Sequence, residues 1–225
     1  MKHHYFDRNQ EPMPSVTTVI SQLDKPYLLK WANSVGLRGF SHEAIRNKAA
    51  ETGTLAHTMV ENLIKGEEED FSCHPLFIPA NRSFLAFKKW TNTHDIQFLG
   101  SEISLVNDQL GFGGTIDIIA RINGKVCVVD IKTSNSLCTE YNYQVAAYSW
   151  LIESAQLNDQ GQTRTFPTYT PEHALLLRLD KRNGNLEEKW MSSEDMKTPQ
   201  KIFASLLTLF QLRKDYHSSI ADTNK

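Results

Sequence analysis

Residues Gly113–Ser134 read GGTIDIIARINGKVCVVDIKTS, and the fold turns on them. Two apolar runs rich in β-branched residues, TIDIIARI and KVCVVDIKT, flank Asn123-Gly124, the dipeptide best suited to a two-residue hairpin turn. Each arm nonetheless carries an acid, Asp117 and Asp130. A carboxylate on an apolar strand is costly unless it is paired, hydrogen-bonded or bound to a cation. Asp117 lies six residues before Asn123 and Asp130 six after Gly124, which sets the two acids opposite each other. Facing like charges destabilise a sheet, whereas a divalent cation between them would turn repulsion into coordination; hard oxygen donors suit Mg2+ or Mn2+. Side chains alternate along a strand, so Lys132 shares the face of Asp130. Spacing alone leaves two readings open: a partly buried Asp–Lys ion pair beside an isolated acid, or half of a metal-dependent site.

Outward from the hairpin, SEISLV is a third strand, and YNYQVAAYSWLIESA returns to helical period, with Val145, Ala146, Tyr148, Leu151 and Ile152 as its apolar residues. HALLLRLD and NLEEKWMS form a further strand pair about Asn183-Gly184. Between that helix and HALLLRLD, NDQGQTRTFPTYTP is polar and reads as a long loop. Upstream, Ser15 caps a helix through VTTVISQL, and DKPYLLKWANSVG carries Leu28, Leu29 and Ala32 at near-helical spacing. A helix from His42 to Ala50 is broken at Gly53, and Thr54 caps the next one, LAHTMVENLIKG. Another runs from Pro79 to Thr93 with Phe84, Leu85, Phe87 and Trp90 inward. The last helix begins near Pro199, after Thr198, and reaches about Tyr216. This is a single α/β domain: 1–95 mainly helical, 100–192 the sheet and the helix that follows the hairpin, 193–225 a C-terminal helix.

Composition narrows the class. The 225 residues are 40% hydrophobic, with no apolar run long enough for a membrane helix and no secretory h-region in MKHHYFDRNQEPMPS. Cys73, Cys127 and Cys138 are few and scattered, which favours a reducing, cytoplasmic setting and excludes a four-cysteine iron–sulfur cluster. A net charge of −2 is no global nucleic-acid signature, but an enzyme that holds phosphates through metal ions needs only a local basic groove. EEED at Glu67–Asp70 reads as a solvated loop.

GGTID, VVDIKT and QVAAY together resemble the PD-(D/E)XK nuclease superfamily, and within it the RecB-like exonucleases. Asp117 stands at the motif's first acid, Asp130 where many members carry Glu, and Lys132 at its lysine; Gln144 and Tyr148 match the QxxxY pair of the RecB-like branch. GTLAH sets His57 at the branch's motif histidine, and PSVTTVI with DKPYLLKWA looks like the start of phage-type and mitochondrial genome maintenance exonucleases. The resemblance spans about residues 14–150.

It implies a restriction-endonuclease-like core, a central mixed β-sheet flanked by helices with a helical N-terminal part. It also implies a Mg2+-dependent DNA exonuclease, with Mn2+ as substitute, in a bacterial or phage-infected cytoplasm and in DNA recombination, repair or genome maintenance. Metal ligands would be His57, Asp117, Asp130 and the carbonyl oxygen of Ile131. Lys132 would position or deprotonate the attacking water, and Gln144 and Tyr148 would orient the lysine. Glu102 would lie near the metal ions without binding them. Arg38, Arg46, Lys48, Lys88 and Lys89 are candidates for phosphate contacts. The partner is DNA, with room for a single-strand-binding, recombinase or helicase protein, since the chain carries no helicase motif. An endonuclease or nickase with the same site, or a non-catalytic DNA-binding or assembly module on this fold, are the alternatives. The complete set of His, two Asp and Lys speaks against the module.

Overall fold

Asn123 and Gly124 both take positive φ, 50° and 83°, as a type I′ turn requires. The computed structural model describes residues 5–153, 156–159, 162–165 and 169–223. In order these give β1 (Tyr5–Phe6), β2 (Pro12–Met13), α1 (Val16–Ile20), α2 (Pro26–Leu37), α3 (His42–Lys65) and α4 (Phe77–Thr91). Then follow β3 (Ile96–Asn107), β4 (Phe112–Ile122), β5 (Lys125–Lys132), α5 (Thr139–Glu153), β6 (Gln156–Asp159), β7 (Gln162–Thr165), β8 (His173–Leu179), β9 (Leu186–Ser192) and α6 (Ser193–Thr223). Strands β7-β6-β3-β4-β5-β8-β9 make one mixed sheet, antiparallel except where β5 lies parallel to β8. The protein is thus α/β, with a central mixed sheet flanked by helices and a helical N-terminal part. Among the described residues no helix is long and apolar enough to cross a membrane.

Alternation along the strands builds two cores. Ile119, Val128 and Leu176 pack under α1, α5 and α6, while Ile118, Ala120, Val129, Ile131 and Leu177 pack under α3 and α4. Two-sided burial explains why β4, β5 and β8 read as nearly continuous apolar runs.

Four local expectations need correction. Gly53 does not end a helix: α3 runs through it, because a Cβ there would meet Thr133 Oγ1 at 3.0 Å. The glycine serves a close helix–strand approach. Leu85 is exposed rather than inward, while Phe87 and Trp90 of the same helix are buried. Part of the polar stretch after α5 is not loop but the β6–β7 pair, which extends the sheet from β3; residues 160–161 and 166–168 lie outside the described residues. Finally, α6 starts at Ser193, six residues before Pro199. Ser192 and Asp195 cap it reciprocally, Ser192 N donating to Asp195 Oδ2 at 2.9 Å and Asp195 N to Ser192 Oγ at 3.3 Å. Pro199 then forfeits one helical hydrogen bond.

Candidate active site

The two central strands change face at one level. Ile116 points into the core under α5, but Ile118, two residues on, points into the core under α3 and α4. The switch occurs at Asp117. On β3, between the pairs Ser101–Ile118 and Ile103–Ile116, the same level is occupied by Glu102 with φ 50°. Left-handed backbone at a non-glycine residue costs about 1–2 kcal/mol. Both carboxylates thereby escape the sheet alternation and turn towards α3. His57, on α3, meets them: its Nδ1 lies 3.6 Å from Glu102 Oε1 and 3.6 Å from Asp117 Oδ1. One donor atom from each of the three residues falls within 4.8 Å of the others.

Asp117 and Asp130 are one step beyond the last hairpin pair, Ile118–Val129. There the ladder gives way to a side-chain bond, the Ile131 N–H donating to Asp117 Oδ2 at 2.7 Å. Asp130 itself is only 1% exposed and forms an ion pair with Lys132, Nζ to Oδ2 at 2.6 Å, although the alignment does not make a hydrogen bond. Lys132 Nζ also donates to Gln144 Oε1 at 3.1 Å, and Gln144 Nε2 donates to Tyr148 OH at 2.8 Å. The ring of Tyr141 lies 4.7 Å beneath the ammonium. Tyr148 in turn needs Gly114, where a Cβ would stand 2.7 Å from its Cε1. Gly113 makes the same kind of room for the ring of Tyr5. The glycine pair therefore seats two aromatic rings; it is no bulge, the β3–β4 pairing running through it without a register shift.

His57, Glu102 and Lys132 open onto a cavity of about 1010 Å³, which Ile131 and Tyr141 also line. Burial works against charge on His57, but Asp117 and Glu102 outweigh it and raise its pKa to about 9. Burial raises Asp130 to about 6 against the pull of Lys132, and raises Asp117 against the pull of His57 and Lys132. Lys132 is raised, because Asp130 and Asp117 overcome the opposing effect of burial. With one imidazole nitrogen and two carboxylate oxygens converging, the donor set fits a hard divalent cation, which would replace the proton on His57.

The expected residues fall in two groups. His57 and Asp117 converge with Glu102, which sequence reasoning had kept outside the ligand set. Asp130 instead sits with Lys132, Gln144 and Tyr148, outside the three-donor cluster. Ile131 lines the cavity and anchors Asp117 through its N–H. Of the basic candidates Arg46 lines the cavity; Arg38 caps α2 and donates to Ser34 O, Lys48 is exposed on α3, and Lys88 and Lys89 lie in the last turn of α4, all four outside that lining. Lys181, which carries no motif signal, does line it. A second hollow of about 580 Å³ under Glu67–Asp70 brings together no comparable donor set.

No family model matches the sequence, and no curated protein matches it. Among solved structures, one titled "Crystal structure of SSO0001" is similar at 17% identity over 73% of this chain and 83% of that one, with a TM-score of 0.33, too low to bear on fold or function.

Proposed function

We propose that the protein is a metal-dependent DNA nuclease of the PD-(D/E)XK class, acting as an exonuclease. The observation that supports this most is the convergence of His57, Glu102 and Asp117, with His57 and Glu102 sharing one cavity with Lys132. A bound Mg2+ or Mn2+ would supply charge for the scissile phosphate and lower the pKa of a bound water. The ion would be held by His57, Glu102 and Asp117. Asp117 keeps its aim through the Ile131 N–H, and Glu102 through its left-handed backbone.

Lys132, kept an ammonium by Asp130 and Asp117, acts from its Nζ as a proton donor and a fixed positive charge. Asp130 and Gln144 fix the ammonium from two sides, and Tyr148 fixes Gln144. The head group thus faces the phosphate from a position that costs nothing to organise during reaction. Asp130 is, in this reading, the lysine's counter-charge before it is a metal ligand. The setting is intracellular DNA, in recombination, repair or genome maintenance, with cytoplasmic location and any helicase, recombinase or single-strand-binding partner following from that role.

The test is a digest of end-labelled linear DNA beside covalently closed circular DNA, with Mg2+ and with EDTA. Linear DNA should be consumed only with Mg2+, and the circle should survive. Cutting of the circle would make the protein an endonuclease or nickase. Activity in EDTA, or none on any DNA with Mg2+ or Mn2+, would reject the proposal.

A further inference from the structure

One stripe of α3 forms a wall of the cavity: Arg46, Ala49, Gly53 and His57 recur at three- and four-residue steps. Its middle is bare. Ala49 and Gly53 offer no bulk, so anything seated at His57 can run along the helix towards Arg46, about 16 Å away at 1.5 Å per residue. Facing the bare stretch from the sheet is Lys181, whose Nζ donates to Ala49 O at 3.0 Å. An ammonium has three N–H bonds, and Ala49 takes one.

Lys181 is held where it is by unusual means. It follows Asp180, 2% exposed, which accepts from Arg182 at 2.7 Å and from Arg178 at 3.1 Å. Asp180 O accepts the Gly184 N–H at 2.7 Å and its N–H donates to Asn185 O at 2.9 Å, closing the β8–β9 turn. Arg178 also reaches Asn135 O at 3.3 Å and pairs in register with Lys132. A rigid turn thus presents a half-buried cation at the carboxyl end of β8, beside the end of β5. Burial lowers the pKa of Lys181, a penalty that an anion in the cavity would offset.

Resting on the nuclease reading above, we infer that Lys181, seconded by Arg46, is a substrate-positioning residue that grips a backbone phosphate further along the strand from the scissile one, and so sets how the strand lies along α3. His57, Glu102 and Asp117 take the reacting phosphate at one end of the wall; Lys181 takes another phosphate of the strand about 12 Å along it, the helical distance from Ala49 to His57.

Binding of a fluorescein-labelled oligonucleotide, followed by anisotropy with Ca2+ in place of Mg2+, tests this across a range of salt. Lys181→Met keeps the apolar stem and removes the charge. It should weaken binding about tenfold, the worth of one charge-assisted bond, and reduce the salt slope by about one phosphate contact. In the Mg2+ digest the loss should fall mainly on KM, and Lys181→Arg should restore most of it. A Lys181→Met protein with the wild-type salt slope and affinity overturns the inference while leaving the nuclease reading standing. So does one whose only defect is a lower Tm, which would make Lys181 a helix–turn tie. If the wild-type protein binds no DNA, the nuclease reading falls and the inference with it.

Discussion

Lys132→Ala separates the proposed catalytic role of the lysine from its structural one, and its cost can be worked from the geometry. Asp130 is 1% exposed, and Lys132 Nζ at 2.6 Å is its counter-charge. Removing one partner of a buried pair costs about 3–5 kcal/mol. That is a large share of the roughly 5–15 kcal/mol holding a domain together. At about 2–4 °C per kcal/mol for a chain of this length, Tm in EDTA at pH 8 should fall by about 6–20 °C.

The deficit should depend on pH with a definite sign. Burial already lifts Asp130 to about 6, and Lys132 is the strongest influence holding it down; without the lysine the value goes higher. An acid with a raised folded pKa stabilises the fold below its unfolded pKa and loses that contribution as pH rises through the folded one. The variant should therefore recover on going from pH 8 to pH 5. Asp130→Asn in the same chain should rescue it at pH 8. Guanidinium unfolding followed by circular dichroism measures all three proteins. A Lys132→Ala chain as stable as wild type at pH 8, or with a deficit indifferent to pH, would refute the reasoning. Below its melting point, with Mg2+, the same variant should bind the ion normally and turn over about 10²–10⁴-fold more slowly, the range for a positioned acid–base group.

Asp117→Ala should lose both Mg2+ binding by calorimetry and cleavage while keeping its far-ultraviolet spectrum; near-wild-type turnover would remove Asp117 from the site. Metal-free protein should lose stability between pH 5 and about 10, because Asp130 (about 6) and His57 (about 9) both carry raised values whose contributions vanish as pH climbs through them. Mg2+ should flatten that decline in thermal melts, and a metal-free protein that gains stability over the range would contradict the assignment. Gly114→Ala drives a Cβ to 2.7 Å from Tyr148 and 3.0 Å from Leu151. Overpacking of about 1–3 kcal/mol should lower Tm by about 2–12 °C, and turnover should fall with it because Tyr148 seats Gln144. A variant that melts lower but cleaves normally would detach Tyr148 from the lysine.

Much of the fold was legible because its signals are local. Asn123-Gly124 fixes the turn, the turn fixes the register, and the register sets Asp117 and Asp130 at one level. Ser15 caps α1 as expected, its Oγ accepting from Thr18 N at 3.0 Å. The misread elements are those whose cause is distant in sequence. Nothing near Gly53 announces that Thr133 will press on it, so a glycine inside α3 passes for a breaker. The polar run after α5 holds strand only because the edge of β3 accepts it. Leu85 has the helical spacing of its apolar neighbours on α4 but is 54% exposed. Periodicity records which residues would share a face, and it cannot say whether that face is covered.

The site divides along the same line. Strand alternation puts Lys132 on the face of Asp130, whereas Gln144 and Tyr148, neighbours four residues apart on α5, are assigned to the site only by the resemblance. Glu102 is expected near the metals but not as a ligand, because strict alternation along β3 gives no reason for its carboxylate to leave the sheet beside Asp117. It does so through a left-handed residue, matched on β4 by the change of face between Ile116 and Ile118. Without that double kink, Glu102 and Asp117 would direct their charges into an apolar core, where neither has a counter-ion. With it, both meet His57. The backbone strain at Glu102 is therefore intelligible as the cost of moving two acids out of the core and onto one imidazole, and a glycine at 102 would relieve the strain while removing one of the three donors.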